Sequence, residues 1–205
     1  MNTDPREPTT RELIVQAADT LFYQRGFDRT SFADIGGELN ISRGNFYYHF
    51  KTKDEILSAV ISLRAARTQA MLEAWTSEAK TPLARLLCFA EMLIHNREHI
   101  QRSGCPVGTL CAELAKLEHP SQGDANMIFG QFREWLREQF EALGDRQDAD
   151  AHAMHLLARS QGIAALANAF HDEDFIRHEV GQIEAWLRAL QRKRPARTAS
   201  TPRAK

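Results

Sequence analysis

From Leu13 to Leu190 the apolar residues recur at intervals of three and four, and no segment sustains the alternation of a half-buried strand. That pattern predicts an all-α fold, in which each helix buries one apolar stripe. The first stripe is Leu13, Ile14, Ala17, Ala18, Leu21 and Phe22, with Thr9 or Thr10 as N-cap and Gly26 as the stop. Thr30 or Ser31 caps a short second helix carrying Phe32, Ile35 and Leu39, after which Asn40 suits a left-handed turn. Ser42 caps a third helix running from Arg43 to Phe50. Thr52-Lys53-Asp54-Glu55 then reads as a capping box that opens a long fourth helix. Its Ile56, Leu57, Val60 and Ile61 are placed to pack back on the first three helices, while Met71, Leu72 and Trp75 reach towards a second unit.

Pro82 suits the first turn of a fifth helix, predicted to carry Leu83, Leu86, Leu87, Ala90, Leu93 and Ile94 and to end at Ser103-Gly104. A sixth starts near Pro106 and stops before His119-Pro120. Phe129, Phe132, Trp135, Leu136, Phe140 and Leu143 mark a seventh, capped by Gly144. The last two, over 148–170 and 172–191, are joined by so short a turn that they must run antiparallel. The first of the pair carries the small residues Ala158, Gly162, Ala165 and Ala169, and the second carries Ile176, Val180, Ile183, Leu187 and Leu190. Together they are expected to build a four-helix interface with a second copy, the alternative being that both stripes face the chain's own core. Beyond them the cations run without an acid, which predicts a disordered basic tail. The expected organisation is an N-terminal unit over 1–52, a larger helical bundle over 53–191 and the tail over 192–205.

A net charge of −1 means that any nucleic-acid contact must come from cations gathered locally. Three cysteines, none in a C-x-x-C spacing, argue against a disulfide framework or a zinc knuckle. No apolar run is long enough to span a bilayer, and Met1 to Thr10 is polar and proline-punctuated, so a cytoplasmic location and no membrane partner are expected.

The local charge is found between Arg43 and Lys53, where Arg43, His49, Lys51 and Lys53 occur with no acid and Tyr47 and Tyr48 interleave. A short helix, a turn and a second short helix of this kind fit the major groove, where base edges are distinguishable. Thr30-Ser31-Phe32-Ala33-Asp34-Ile35 and Asn40-Ile41-Ser42-Arg43-Gly44-Asn45-Phe46-Tyr47-Tyr48-His49-Phe50, with Lys53, resemble the DNA-binding unit of the TetR family. The resemblance runs from about Thr10 to Ile61. It implies a dimeric regulator, most often a repressor on a pseudo-palindromic operator, released by a small hydrophobic or electrophilic effector that tilts the fourth helix. It further implies that Arg43, Gly44, Asn45 and Tyr48 face bases while Ser31, Ser42, Tyr47, His49 and Lys53 hold phosphates. Gly36-Gly37 departs from the family's alanine and polar residue, and Asn40 stands where glycine is usual.

Further along, the stretch from Gly104 to Leu114 resembles a segment found in a subset of these regulators, at the start of a helix lining the ligand cavity. Cys105, just before that helix, is either a reactive thiol favoured by the helix dipole or, like Cys88 and Cys111, a small buried apolar residue. Phe89, Met92, Cys105, Cys111, Phe129, Phe132, Trp135 and Met154 are the candidate walls of an effector pocket. His95 and His99 share a helix face but have no evident third ligand, so neither a metal nor any cofactor is expected. An enzyme on a helical bundle is disfavoured, because the sequence offers no phosphate-cradling glycine loop, no H-E-x-x-H, no di-iron pattern and no nucleophile with a base. A helical interaction module that has lost DNA binding is disfavoured by the intact stretch from Arg43 to Lys53.

Overall fold

The computed structural model describes residues 7–192, so the expected tail lies outside the described residues apart from Arg192. Among them are ten α-helices and no strand. They are α1 (Thr10–Arg25), α2 (Phe32–Leu39), α3 (Arg43–His49), α4 (Lys53–Glu78), α5 (Pro82–His95), α6 (Arg97–Ser103), α7 (Pro106–Lys116), α8 (Gln122–Ala142), α9 (Ala149–Phe170) and α10 (Glu173–Arg192).

The early helices start where their side chains satisfy orphan N–H groups. Thr9 accepts from the Glu12 N–H while the Glu12 carboxylate accepts from the Thr9 N–H at 2.7 Å. Ser31 and Asp34 repeat this reciprocal box for α2, and Ser42 accepts from the Asn45 N–H to open α3. Thr52 caps α4 through the Glu55 N–H, but the Glu55 carboxylate reaches one residue further back, to the Lys51 N–H at 2.8 Å. Gly26 at φ 91° ends α1 and Asn40 at φ 51° ends α2, both in the region that L side chains resist.

Ile14, Ile35, Phe46 and Phe50 bury fully between α1, α2, α3 and the first turns of α4, where Ile56, Leu57 and Val60 meet them. α4 has 26 residues and so spans about 39 Å, enough to leave this group and pack along α8. The helix expected to run unbroken to Ser103 is instead two, α5 and α6. The break falls at Asn96 (φ −98°, ψ 11°), whose side-chain amide donates to the Met92 carbonyl at 2.9 Å and competes with the backbone for it.

A second correction concerns α10. Ile176, Val180, Ile183 and Leu187 are fully buried within the chain's own core, because α10 lies against α5 with α9 and α6 beside it. Their stripe is therefore spent inside the molecule and does not form an exposed face for a second copy. Ala158, Gly162, Ala165 and Ala169 on α9 are exposed, together with Leu166 and Phe170.

Candidate functional site

α3 stands on two buried rings. Phe46 and Phe50 point inward, which turns Arg43, Gly44, Asn45, Tyr47 and Tyr48 outward, Tyr48 being 77% exposed. The Arg43 guanidinium lies over the Tyr47 ring at 5.5 Å, so cation and ring form one surface. Tyr48 packs edge-on against His49. A Cβ added at Gly44 would meet nothing within 4 Å, so this glycine answers no steric need inside the chain. Ser31 and Ser42, expected at phosphates, spend their hydroxyls on the caps of α2 and α3. The hydrogen bonds from Ser31 hold the Asp34 carboxyl below the usual carboxylate range.

Lys53 is turned inward. Its ammonium donates to the carbonyls of Phe27 and Asp28, both at 3.1 Å, and sits over the Phe27 ring. The N–H groups of the same two residues donate to the Glu113 carboxylate of α7, each at 2.9 Å. The α1–α2 turn is thus held by α4 through its carbonyls and by α7 through its amides.

Behind this turn lies a cavity of about 470 Å³. Phe89, Met92, Cys105, Phe129 and Phe132 line it, as their sequence positions suggested. Cys111 and Trp135 do not. Cys111 is buried, and burial pushes its thiol up to about 11, with the nearby Cys105 adding to the shift. Trp135 packs against Trp75 and donates its indole N–H to Thr76 Oγ1 at 2.8 Å. Met154 faces a separate groove between α8 and α9 that shares Phe129, Leu157 and Gln161 with the cavity.

Unforeseen in the sequence is the wall that α1 and α4 supply, where Asp19, Tyr23, Arg64, Arg67 and Thr68 line the cavity. Arg64 is only 7% exposed, and its Nε donates to Asp19 Oδ1 at 2.6 Å. Its Nη2 donates to the Asp19 carbonyl at 3.3 Å, and Nη1 to the Pro106 carbonyl at the start of α7. A signal was available, since Val60, Arg64, Thr68 and Leu72 share one four-residue spacing and all four are buried. The Tyr23 hydroxyl lies 2.7 Å from the Gly104 carbonyl and 2.9 Å from that of His99. Burial pushes this hydroxyl up to about 12, with Cys105 adding to the rise and Arg64 opposing it.

Cys105 is the N-cap of α7, its sulfur accepting from the Gly108 N–H at 3.4 Å and the Gln161 amide at 3.5 Å. Gly108 lets the Gln161 amide approach closely, since a Cβ there would stand 2.4 Å from Gln161 Oε1 and the Gln161 side chain would have to shift. His99 lines the cavity while His95 turns its ring to the Glu91 carbonyl at 2.9 Å. Among the described residues no three His, Cys, Asp or Glu side chains converge as metal ligands, and no helix is long and apolar enough to cross a membrane.

Residues 14–60 match the family model for bacterial regulatory proteins of the tetR family. The chain is 33% identical over 171 residues to an uncharacterized HTH-type transcriptional regulator in the lacX 3' region of Lactococcus lactis subsp. lactis, covering 80% of this chain and 85% of that protein. It is 26% identical over 160 residues to the HTH-type transcriptional repressor DhaR of Mycobacterium sp. (strain GP1), covering 74% and 79%. A TetR transcriptional regulator from Legionella pneumophila has a similar crystal structure, with a TM-score of 0.75 and 25% identity over 89% of this chain and 99% of that one.

Proposed function

The chain belongs to the TetR family of transcriptional regulators, and from that premise we propose that it is a homodimeric repressor whose hold on operator DNA is relieved by a small apolar or electrophilic effector in its cavity. One observation carries the reading. Asp19, Thr20, Tyr23 and Gln24 of α1 line the same cavity as the aromatic side chains of α5 and α8. A bound molecule therefore touches the helix on which α2 and α3 are assembled, with no intermediate body to transmit its effect.

In this reading α3 enters the major groove with Arg43, Asn45 and Tyr48 at base edges and Gly44 allowing close approach. Arg43 forks onto a guanine, and Tyr47 and His49 lie towards phosphates. Lys53 and Ser42 act mainly by bracing α3 and its neighbours, as their hydrogen bonds in the unbound chain support. Residues 1–52 would then act as the DNA-binding unit and 53–191 as the effector and dimer unit.

For the dimer, the exposed stripe of Ala158, Gly162, Ala165 and Ala169 supports a close helix crossing about a two-fold axis, flanked by Leu166 and Phe170. An electrophilic effector would find Cys105 in the cavity wall, in the segment that resembles a subset of the family.

The test is a selection of bound fragments from sheared genomic DNA by the purified protein. Enrichment of a pseudo-palindromic sequence with half-sites about one helical turn apart supports the reading. Recovery of fragments without a shared sequence, or tighter binding in the presence of an effector, overturns the repressor assignment.

A further inference from the structure

The charge in the cavity wall is unbalanced. Of the residues that line it, Arg64 and Arg67 are cationic, and Asp19 is the one carboxylate. Both guanidiniums use that carboxylate, Arg64 at 2.6 Å through Oδ1 and Arg67 at 2.8 Å through Oδ2. Cys105 also lies in the wall, its sulfur accepting from the Gly108 N–H and the Gln161 amide. Burial keeps the Tyr23 hydroxyl protonated. Two guanidiniums therefore share one carboxylate in this wall, the buried Arg64 and the more exposed Arg67.

Arg64 is also able to take another partner. Its guanidinium has five N–H donors, and those to Asp19 Oδ1, the Asp19 carbonyl and the Pro106 carbonyl use three of them. The remainder of the cavity is apolar, with Phe89, Met92, Leu93, Phe129, Phe132 and Leu157 around it.

We infer that the effector is an apolar molecule bearing a single carboxylate or equivalent anion, which binds at Arg64 and Arg67 in competition with Asp19. The apolar body fills the space between α5, α8 and α9, and the anion takes the donors that Asp19 now shares. Planar guanidinium suits a carboxylate in two-point contact better than it suits a neutral hydroxyl. The inference rests on the regulator reading for its consequence: an anion that draws Arg64 away loosens the bond between α4 and α1.

The experiment is calorimetric titration of the full-length protein, without DNA, with two matched pairs: decanoate against 1-decanol, and 4-biphenylcarboxylate against 4-biphenylmethanol. In at least one pair the acid is expected to bind about tenfold or more tightly than its alcohol, the scale of one charge-assisted hydrogen bond. Arg64→Gln with Arg67→Gln should remove that preference while the alcohol still binds, which shows the cavity intact. Asp19→Asn should tighten the acid, since its competitor loses its charge. Should the buried Arg64 variant fail to fold, Arg67→Gln at the exposed end of the pair is expected to lose about threefold of the preference on its own. Acids that bind no more tightly than their alcohols in both pairs, absence of binding by all four, or a preference that survives loss of the arginines would each overturn the inference. Because these titrations contain no DNA, they can fail while operator binding stands. Conversely, the acid can bind as expected while leaving operator affinity unchanged, which would count against the regulator reading alone.

Discussion

Glu113 and Lys53 hold the same turn from two sides, the carboxylate taking the amides of Phe27 and Asp28 and the ammonium taking their carbonyls. One residue belongs to α7, whose start lies at the cavity, and the other opens α4. Glu113→Ala leaves the half-buried Phe27 amide without its partner and should lower stability by about 1–3 kcal/mol. Urea unfolding followed by circular dichroism checks this through the midpoint. An unchanged midpoint would show that the turn holds itself.

Gly44→Ala is expected to separate folding from DNA binding. Nothing within 4 Å of its added Cβ obstructs a methyl group, so Gly44→Ala should leave the chain as stable as before or up to about 1 kcal/mol more stable. On the operator the same methyl would stand between α3 and the base edges, and affinity should fall about tenfold or more. Thermal unfolding and operator titration of one purified variant measure both. Full operator affinity would mean that α3 does not approach the groove at this position.

Tyr23 predicts an alkaline weakness. Its hydroxyl, ordinarily near 10.0, is pushed up to about 12 in the folded chain, so above pH 10 the unfolded chain gives up the proton first. The stability it contributes is complete below pH 10 and drains away as pH climbs through about 12. Tyr23→Phe should be less stable than the parent at neutral pH, through loss of the bond to Gly104 or His99, and the gap should narrow across that window. A gap that stays constant to pH 12 would place the sensitivity elsewhere.

The corrected position of α10 distinguishes core from interface. Ile183 is fully buried in the chain's own core, so Ile183→Ala should cost about 2–5 kcal/mol of stability. Ala165 is exposed on α9, so Ala165→Arg should leave the fold intact and shift sedimentation from dimer to monomer. A dimer that persists in Ala165→Arg would move the interface off this stripe.

What could be read from the sequence was what is local. Thr9, Ser31, Ser42 and Thr52 cap the helices that follow them because a cap needs only a side chain and the next few amides. The break between α5 and α6 was missed because Asn96 is neither Gly nor Pro, and its amide competes for a carbonyl only once the helix exists. Periodicity marked the apolar face of α10 correctly but could not say that α5 would cover it. The aromatic cavity wall was legible on single helices. Its polar wall was not, because Asp19, Arg64 and the Pro106 carbonyl meet across separations of more than forty residues.

The measurement closest to the central claim is fluorescence anisotropy of a labelled duplex carrying the selected operator, titrated with the parent chain and with an Arg43→Ala, Asn45→Ala variant at several salt concentrations. The parent should prefer the operator to a scrambled duplex by at least about a thousandfold at moderate salt, and the variant should retain only the weak, salt-sensitive binding common to any duplex. Equal affinity of the parent for operator and scrambled duplex, or a preference that the variant keeps in full, would contradict sequence reading by the exposed face of α3.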